Sequence, residues 1–194
     1  MIRAIDLDQL LRIRELRVER EVAVVHGRGL DFTVAFAGDG SRRESLERQV
    51  AALDLDAHVR FVGRLDDVGP LLAAADAVLL PSRWEGLPLV LLEALVRLRP
   101  VVASAVGGVP EVVEDGVSGV LVPPGDVAAL AEALEQLHRK PDRAYRLGRT
   151  GGERVRAAYT WEAVVDGFEA LYDEILGLAS VTPEPDELAR GARS

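Results

Sequence analysis

From residue 32 onward, short unbroken apolar runs alternate with helical patterns, and few folds accommodate that order. Phe32–Ala37, Val59–Val62, Ala77–Leu80, Val101–Ser104 and Gly119–Val122 read as strands. They are rich in valine, leucine and alanine, as strands are when helices cover both faces of a sheet. Helical patterns over about 42–53, 67–75, 85–98, 110–114, 127–139, 142–158 and 161–176 separate and follow them. Ser41 and Glu44 have capping-box spacing, Pro88 suits a first helical turn, and Asp126 suits an N-cap. Strand–helix alternation with short connections predicts an α/β fold, a Rossmann-like parallel sheet flanked by helices. Ligands bind such sheets at the carboxyl ends of the strands. The turns Gly63-Arg64-Leu65, Pro81–Gly86 and Gly107-Gly108 fall at that edge.

The two ends read differently. Leu7, Leu10, Leu11, Val18, Val22 and Val25 make a helical stripe, so residues 1–31 are expected to form an N-terminal helix at the truncated start of the domain. A rival reading makes Val22–Val25 a strand, which would force an antiparallel hairpin with the strand at Phe32. Residues 32–177 are expected to form the folded domain. Residues 178–194 carry Pro183, Pro185 and scattered charge without apolar period, and read as a disordered tail.

Composition narrows the chemistry. The 194 residues include no cysteine, which excludes disulfides and thiolate metal sites and fits a reducing cytoplasm. A net charge of −9 makes broad binding to nucleic acid or anionic membrane unfavourable. His26, His58 and His138 are far apart and show no metal-ligand spacing. No apolar run reaches the roughly 20 residues that a bilayer span needs, and no signal peptide is evident. The expected location is the cytoplasm, or the membrane periphery through a partner.

Residues 81–93, Pro-Ser-Arg-Trp-Glu-Gly-Leu-Pro-Leu-Val-Leu-Leu-Glu, carry the most chemistry. A strand enters a small-residue turn that opens a helix, with Glu85 on the turn and Glu93 inside the helix. The helix N-terminus offers unpaired amides and partial positive charge to a phosphate, and the carboxylates can accept hydrogen bonds from sugar hydroxyls. Five to seven helical residues between them give a span of about 8–10 Å. Gly38-Asp39-Gly40-Ser41-Arg42-Arg43 starts like a dinucleotide fingerprint, but Arg43 stands where the third glycine belongs, which argues against an oxidoreductase. Trp84 and Trp161 read as packing residues.

Several motifs then recur in a familiar order. They are Ala37-Gly38-Asp39-Gly40, Val59–Arg64, Pro81-Ser82 with Glu85-Gly86-Leu87, Glu93-Ala94-Leu95, Pro100–Ser104, Gly107–Val113, Asp115-Gly116, and Gly119 with Leu121–Asp126. In this order residues 32–176 resemble the C-terminal, donor-binding domain of GT-B glycosyltransferases, the retaining group 1 transferases of family 4. That resemblance implies a bacterial glycosyltransferase that moves a sugar from a nucleoside-diphosphate sugar to an acceptor with retention. It implies Glu85 as the catalytic residue facing the donor sugar and Glu93 on the ribose hydroxyls. Gly86 and Leu87 would offer amides to the phosphates, and Gly63, Arg64 and Leu65 would frame the base. No metal or other cofactor is implied.

Departures from the family pattern are equally specific. On this reading the chain is expected to lack the acceptor-binding domain, and with it the first strand of the donor domain and its phosphate-binding arginine and lysine. Arg28 is the nearest replacement, and Leu98 stands where a glycine usually precedes Arg99-Pro100, which would disturb the turn. The alternative is therefore a non-catalytic fragment that binds a nucleotide-sugar or a partner and needs a separate acceptor domain.

Overall fold

The computed structural model describes residues 5–6 and 32–177. The expected helix at 7–26, Arg28 and the tail 178–194 lie outside the described residues. The elements are strands β1 (Ile5–Asp6), β2 (Val34–Ala37), β3 (Val59–Gly63), β4 (Val78–Leu80), β5 (Val101–Ser104) and β6 (Val120–Val122). Helices are α1 (Arg43–Ala52), α2 (Gly69–Ala74), α3 (Leu89–Val96), α4 (Val109–Val112), α5 (Val127–Arg139), α6 (Pro141–Ala158) and α7 (Trp161–Leu176). The chain divides into two compact units, one up to Arg156 and one from Ala157, of which α7 is the described helix.

The first unit is an α/β structure with parallel strands throughout. β1, β2 and β3 pair in that order, as do β4, β5 and β6. β1 also lies against β4, so the strands succeed one another in space as 3-2-1-4-5-6. Progress across the sheet reverses between β1 and β4, the position where doubly wound sheets open a crevice. The expectation that the first strand is missing is thus corrected. Ile5 pairs opposite Phe36 and Asp6 opposite Ala37. Two residues are too few for any apolar period to register, and long-range pairing with β2 makes this strand.

All residues of β2, β4 and β5 are buried, as strands between two helical layers must be. Their side chains join Leu130, Leu134 and Leu137 of α5 and Leu147 of α6 in one core, each fully buried aliphatic side chain contributing about 1.5–3 kcal/mol. α5 starts where the sequence placed it, with the Ala129 N–H donating to Asp126 Oδ1 at 2.9 Å. The capping box at Ser41 and Glu44 is not formed. Arg42 occupies the N-cap of α1 in helical conformation, with no side-chain cap. Pro88 is the N-cap of α3 rather than part of its first turn.

The end of α3 answers the question raised by Leu98. The Leu98 N–H donates to Leu95 O at 2.8 Å and the Arg99 N–H to Ala94 O at 3.0 Å, the paired bonds of a Schellman stop. Leu98 takes the left-handed position, φ +59°, that glycine usually fills. The turn is therefore intact, with a leucine in a strained conformation. α6 closes on this turn through a row of glycines. A Cβ on Gly148 would lie 2.2 Å from Leu98 O, and one on Gly152 would lie 2.6 Å from Leu95 O.

α7 is amphipathic in sequence. Its N-terminus is capped by Thr160 Oγ1, which accepts from the Ala163 N–H at 3.1 Å, and it ends at left-handed Gly177. Among the described residues, no helix is long and apolar enough to cross a membrane.

Candidate functional site

The loop from β4 to α3, Pro81–Pro88, leaves the carboxyl edge of the sheet beside the switch between β1 and β4. Its residues alternate sharply in depth. Ser82 and Glu85 are 1% and 4% exposed, whereas Trp84 is 72% exposed. A buried carboxylate needs hydrogen-bond partners, and the Ser82 hydroxyl supplies one, donating to Glu85 Oε1 at 2.5 Å. Ser82 is a site residue that motif matching did not single out as a partner, although its three-residue spacing from Glu85 across a turn was visible. Trp84 is not the packing residue expected, and neither is Trp161, at 80% exposed. Placing Glu85 inside the loop turns the neighbouring indole outward.

A second loop braces the first. The Gly108 N–H donates to Gly86 O at 2.8 Å. A Cβ at Gly107, where φ is +52°, would lie 1.8 Å from Glu85 O, and one at Gly108 would lie 2.7 Å from Gly86 O. Only glycine allows this approach at Gly107, since conformation and space both exclude a side chain. Because the peptide is planar and trans, fixing Gly86 O toward Gly108 turns the Leu87 N–H the opposite way. Gly86 and Leu87 are themselves exposed.

α3 then begins at Leu89, four residues after Glu85. Glu93 lies one turn in, half-buried, on the same face as Leu89, which is 68% exposed. The helix thus presents its first-turn amides, its positive dipole end and one carboxylate toward the side of the loop that faces solvent. The rise from Leu89 to Glu93 is about 6 Å of helix, less than the span expected when the helix was read as starting at Glu85.

At the β2–β3 side, Gly63 ends its strand at φ +71°, with Arg64 and Leu65 exposed beyond it. The Gly38 N–H donates to Gly63 O at 2.7 Å. Asp39 Oδ1 accepts from Arg43 Nη1 at 2.6 Å, and this bond holds the Asp39 carboxyl below its ordinary value. The arginine at the third fingerprint glycine is therefore an ion-pair partner of Asp39.

The predicted residues fall into two groups on one edge. Glu85, Gly86, Leu87 and Glu93 surround the start of α3, and Gly63, Arg64 and Leu65 extend from β3. β2 and β1 stand between the two groups, three strand spacings of about 4.8 Å, or roughly 14 Å in all. His58 belongs to neither group. Its ring stacks on Phe32 and its Nδ1 is 3.0 Å from Phe32 O. His138 lines a cavity of about 290 Å³ near Arg99 and Tyr145, at the opposite edge. Among the described residues, no group of three histidine, aspartate or glutamate side chains could hold a metal ion.

Known proteins share sequence and fold with this chain. Residues 17–140 match the family model of glycosyl transferases group 1. The chain is 34% identical over 150 residues to the alpha-D-kanosaminyltransferase of Streptomyces kanamyceticus, covering 76% of this chain and 39% of that protein. Sucrose-phosphate synthase from Thermosynechococcus elongatus superposes with a TM-score of 0.72 at 31% identity, covering 82% of this chain and 42% of that one. Anabaena HepE, solved in complex with UDP, superposes with a TM-score of 0.68 at 25% identity, covering 83% of this chain and 44% of that one. The chain spans about two fifths of the length of these relatives. Its GT-B-type fold, its motifs and these matches agree: the chain belongs to the glycosyl transferases group 1 family.

Proposed function

We propose that this chain forms the donor side of a retaining glycosyltransferase, binding a nucleoside-diphosphate sugar across the carboxyl edge of its sheet. The observation that carries the reading is the close approach of Gly107 to the Glu85 backbone. It fixes the Glu85–Leu87 loop over the switch between β1 and β4, with the Leu87 amide turned away from the brace. The base would lie at Gly63-Arg64-Leu65 and the ribose hydroxyls at Glu93. The diphosphate would lie at Gly86, Leu87 and the first turn of α3. The roughly 14 Å between the two groups suits an extended nucleotide. Glu85 would serve the sugar end, with Ser82 fixing one oxygen of its carboxylate. The departing diphosphate would be stabilised by amides and helix dipole aimed at its charge, without a metal or other cofactor.

Transfer would need an acceptor-binding domain, on the same protein or on a partner, and the reaction would take place in the cytoplasm or at the membrane surface through that partner. A second reading has the chain bind a nucleotide-sugar or a partner without turnover. Calorimetry with UDP and GDP tests the site common to both readings. Glu93→Ala should weaken the tighter of the two about tenfold or more, as loss of a hydrogen bond to a charged group does. Equal heats for wild type and variant would remove Glu93 from the site. Sugar transfer by the chain alone, or only with an added acceptor domain, separates the two readings.

A further inference from the structure

We propose that the cavity of about 290 Å³ at the amino edge of the sheet is a second binding site, one that takes a small monocarboxylate with an apolar body. It goes beyond the donor-site reading and does not rest on it, because it lies at the other edge. Ala77 and Pro100 line it, and they immediately precede β4 and β5. The donor residues follow the strands instead. α3 joins the two edges. It starts four residues after Glu85, and the turn that ends it, Leu98-Arg99-Pro100, forms one wall of the cavity. The helix is about 12 Å long, so a ligand here leaves the nucleotide edge free.

The cavity sets an apolar lining beside a cation that lacks a counter-ion. Leu98, Pro100, Leu137 and Ala144 give the lining, and small-molecule sites are built this way, apolar with a few polar groups. Arg99 is half-buried and donates from Nη1 to Ala75 O at 3.1 Å. Among the described residues no carboxylate pairs with it, and its Nε is buried without an acceptor. A guanidinium drawn from water with so few acceptors gains from an anion, and its planar fork matches a carboxylate. Tyr145 lines the cavity while 61% exposed, so its ring stands at the rim, where it can cover an apolar body. The exposed Asp76 is also on the rim. It repels a second negative charge, which favours a carboxylate over a phosphate. Leu98 adds a further sign. Glycine would make its left-handed turn without strain but would remove this wall, and strain of that kind is held where the surroundings use the side chain.

The test titrates the 194-residue chain with hydrocinnamate, with its neutral amide, and with phenyl phosphate at a pH where it is doubly charged. The acid should bind with a Kd of about 1 mM or tighter. The amide should bind about tenfold more weakly, and so should the phosphate. Arg99→Gln should bring the acid down to the amide's affinity and leave the amide unchanged. Tyr145→Ala, at an exposed position, should weaken acid and amide by the same factor, and judges the site should Arg99→Gln fail to unfold cooperatively. In wild type, the phenyl protons should show nuclear Overhauser contacts to the methyls of Leu98 and Leu137. No saturable binding, or no such contacts, overturns the site, as does unchanged affinity in Tyr145→Ala. Competition by UDP or GDP places the ligand at the other edge and overturns it too. Acid and amide of equal affinity, or losing equally in Arg99→Gln, overturn the role of the charge. A phosphate that binds as tightly as the acid overturns the monocarboxylate class.

Discussion

Leu98 shows how one residue can contradict its local preference. A left-handed backbone costs a residue with a Cβ about 1–2 kcal/mol, yet the Schellman bonds at the end of α3 require it there. Part of that cost is offset by the half-buried side chain, whose Cδ2 lies against Gly152. Leu98→Ala keeps the strain and loses the contact, and should destabilise by about 1 kcal/mol. Leu98→Gly loses the contact and the strain together, and should be more stable than the alanine variant in urea titration, the reverse of their helix propensities. Asp39 gives a prediction in pH. Its hydrogen bond from Arg43 lowers its folded pKa below the ordinary 3.8. The pair therefore contributes above that value and is lost as pH falls through the lower folded one. Asp39→Asn should therefore be slightly less stable than wild type by a constant amount above about pH 4, and the difference should vanish in acid titration as pH falls through the lowered folded pKa. The exposure of the pair keeps the effect small.

At the scale of elements, the chain's glycines separate into those that permit packing and those that do not. A methyl on Gly148 would collide with the Leu98 carbonyl, whereas one on Gly167, in α7, would meet nothing within 4 Å. Gly148→Ala should cost about 1–3 kcal/mol through forced separation of α6 from the end of α3. Gly167→Ala should stabilise α7 by about 0.5–1 kcal/mol by reducing backbone freedom in the unfolded chain. Thermal or urea unfolding of the two variants checks both signs. The positions of α5, α7 and β5 were legible in the sequence to the residue, because apolar period and N-cap chemistry agree there. α1 was legible only in extent. Its capping-box residues were present but unused, with Arg42 at the cap instead. β1 left no local signal at all.

For the molecule as a whole, family membership and sheet order together put the predicted residues on one edge. Ligand binding to that edge should be visible as stability. UDP or GDP, whichever binds, at a hundredfold excess over its Kd should stabilise the folded chain by about 2.7 kcal/mol, and the thermal midpoint should rise with concentration. No rise with either nucleotide, alongside intact cooperative unfolding, would count against a donor site on this edge.

Alternation of apolar runs and helical stripes determined the fold class, and motif order determined the family, because both are written in residues close together along the chain. Tertiary structure decided the rest. It supplied the strand at Ile5–Asp6, drew Glu85 inward onto Ser82, and set Gly107 against the Glu85 backbone. It also paired Asp39 with Arg43 at the start of α1. The strand at Ile5–Asp6 and the contact of Gly107 with Glu85 depend on groups that the sheet brings together from distant positions, and neither period nor spacing records which backbone atoms will touch.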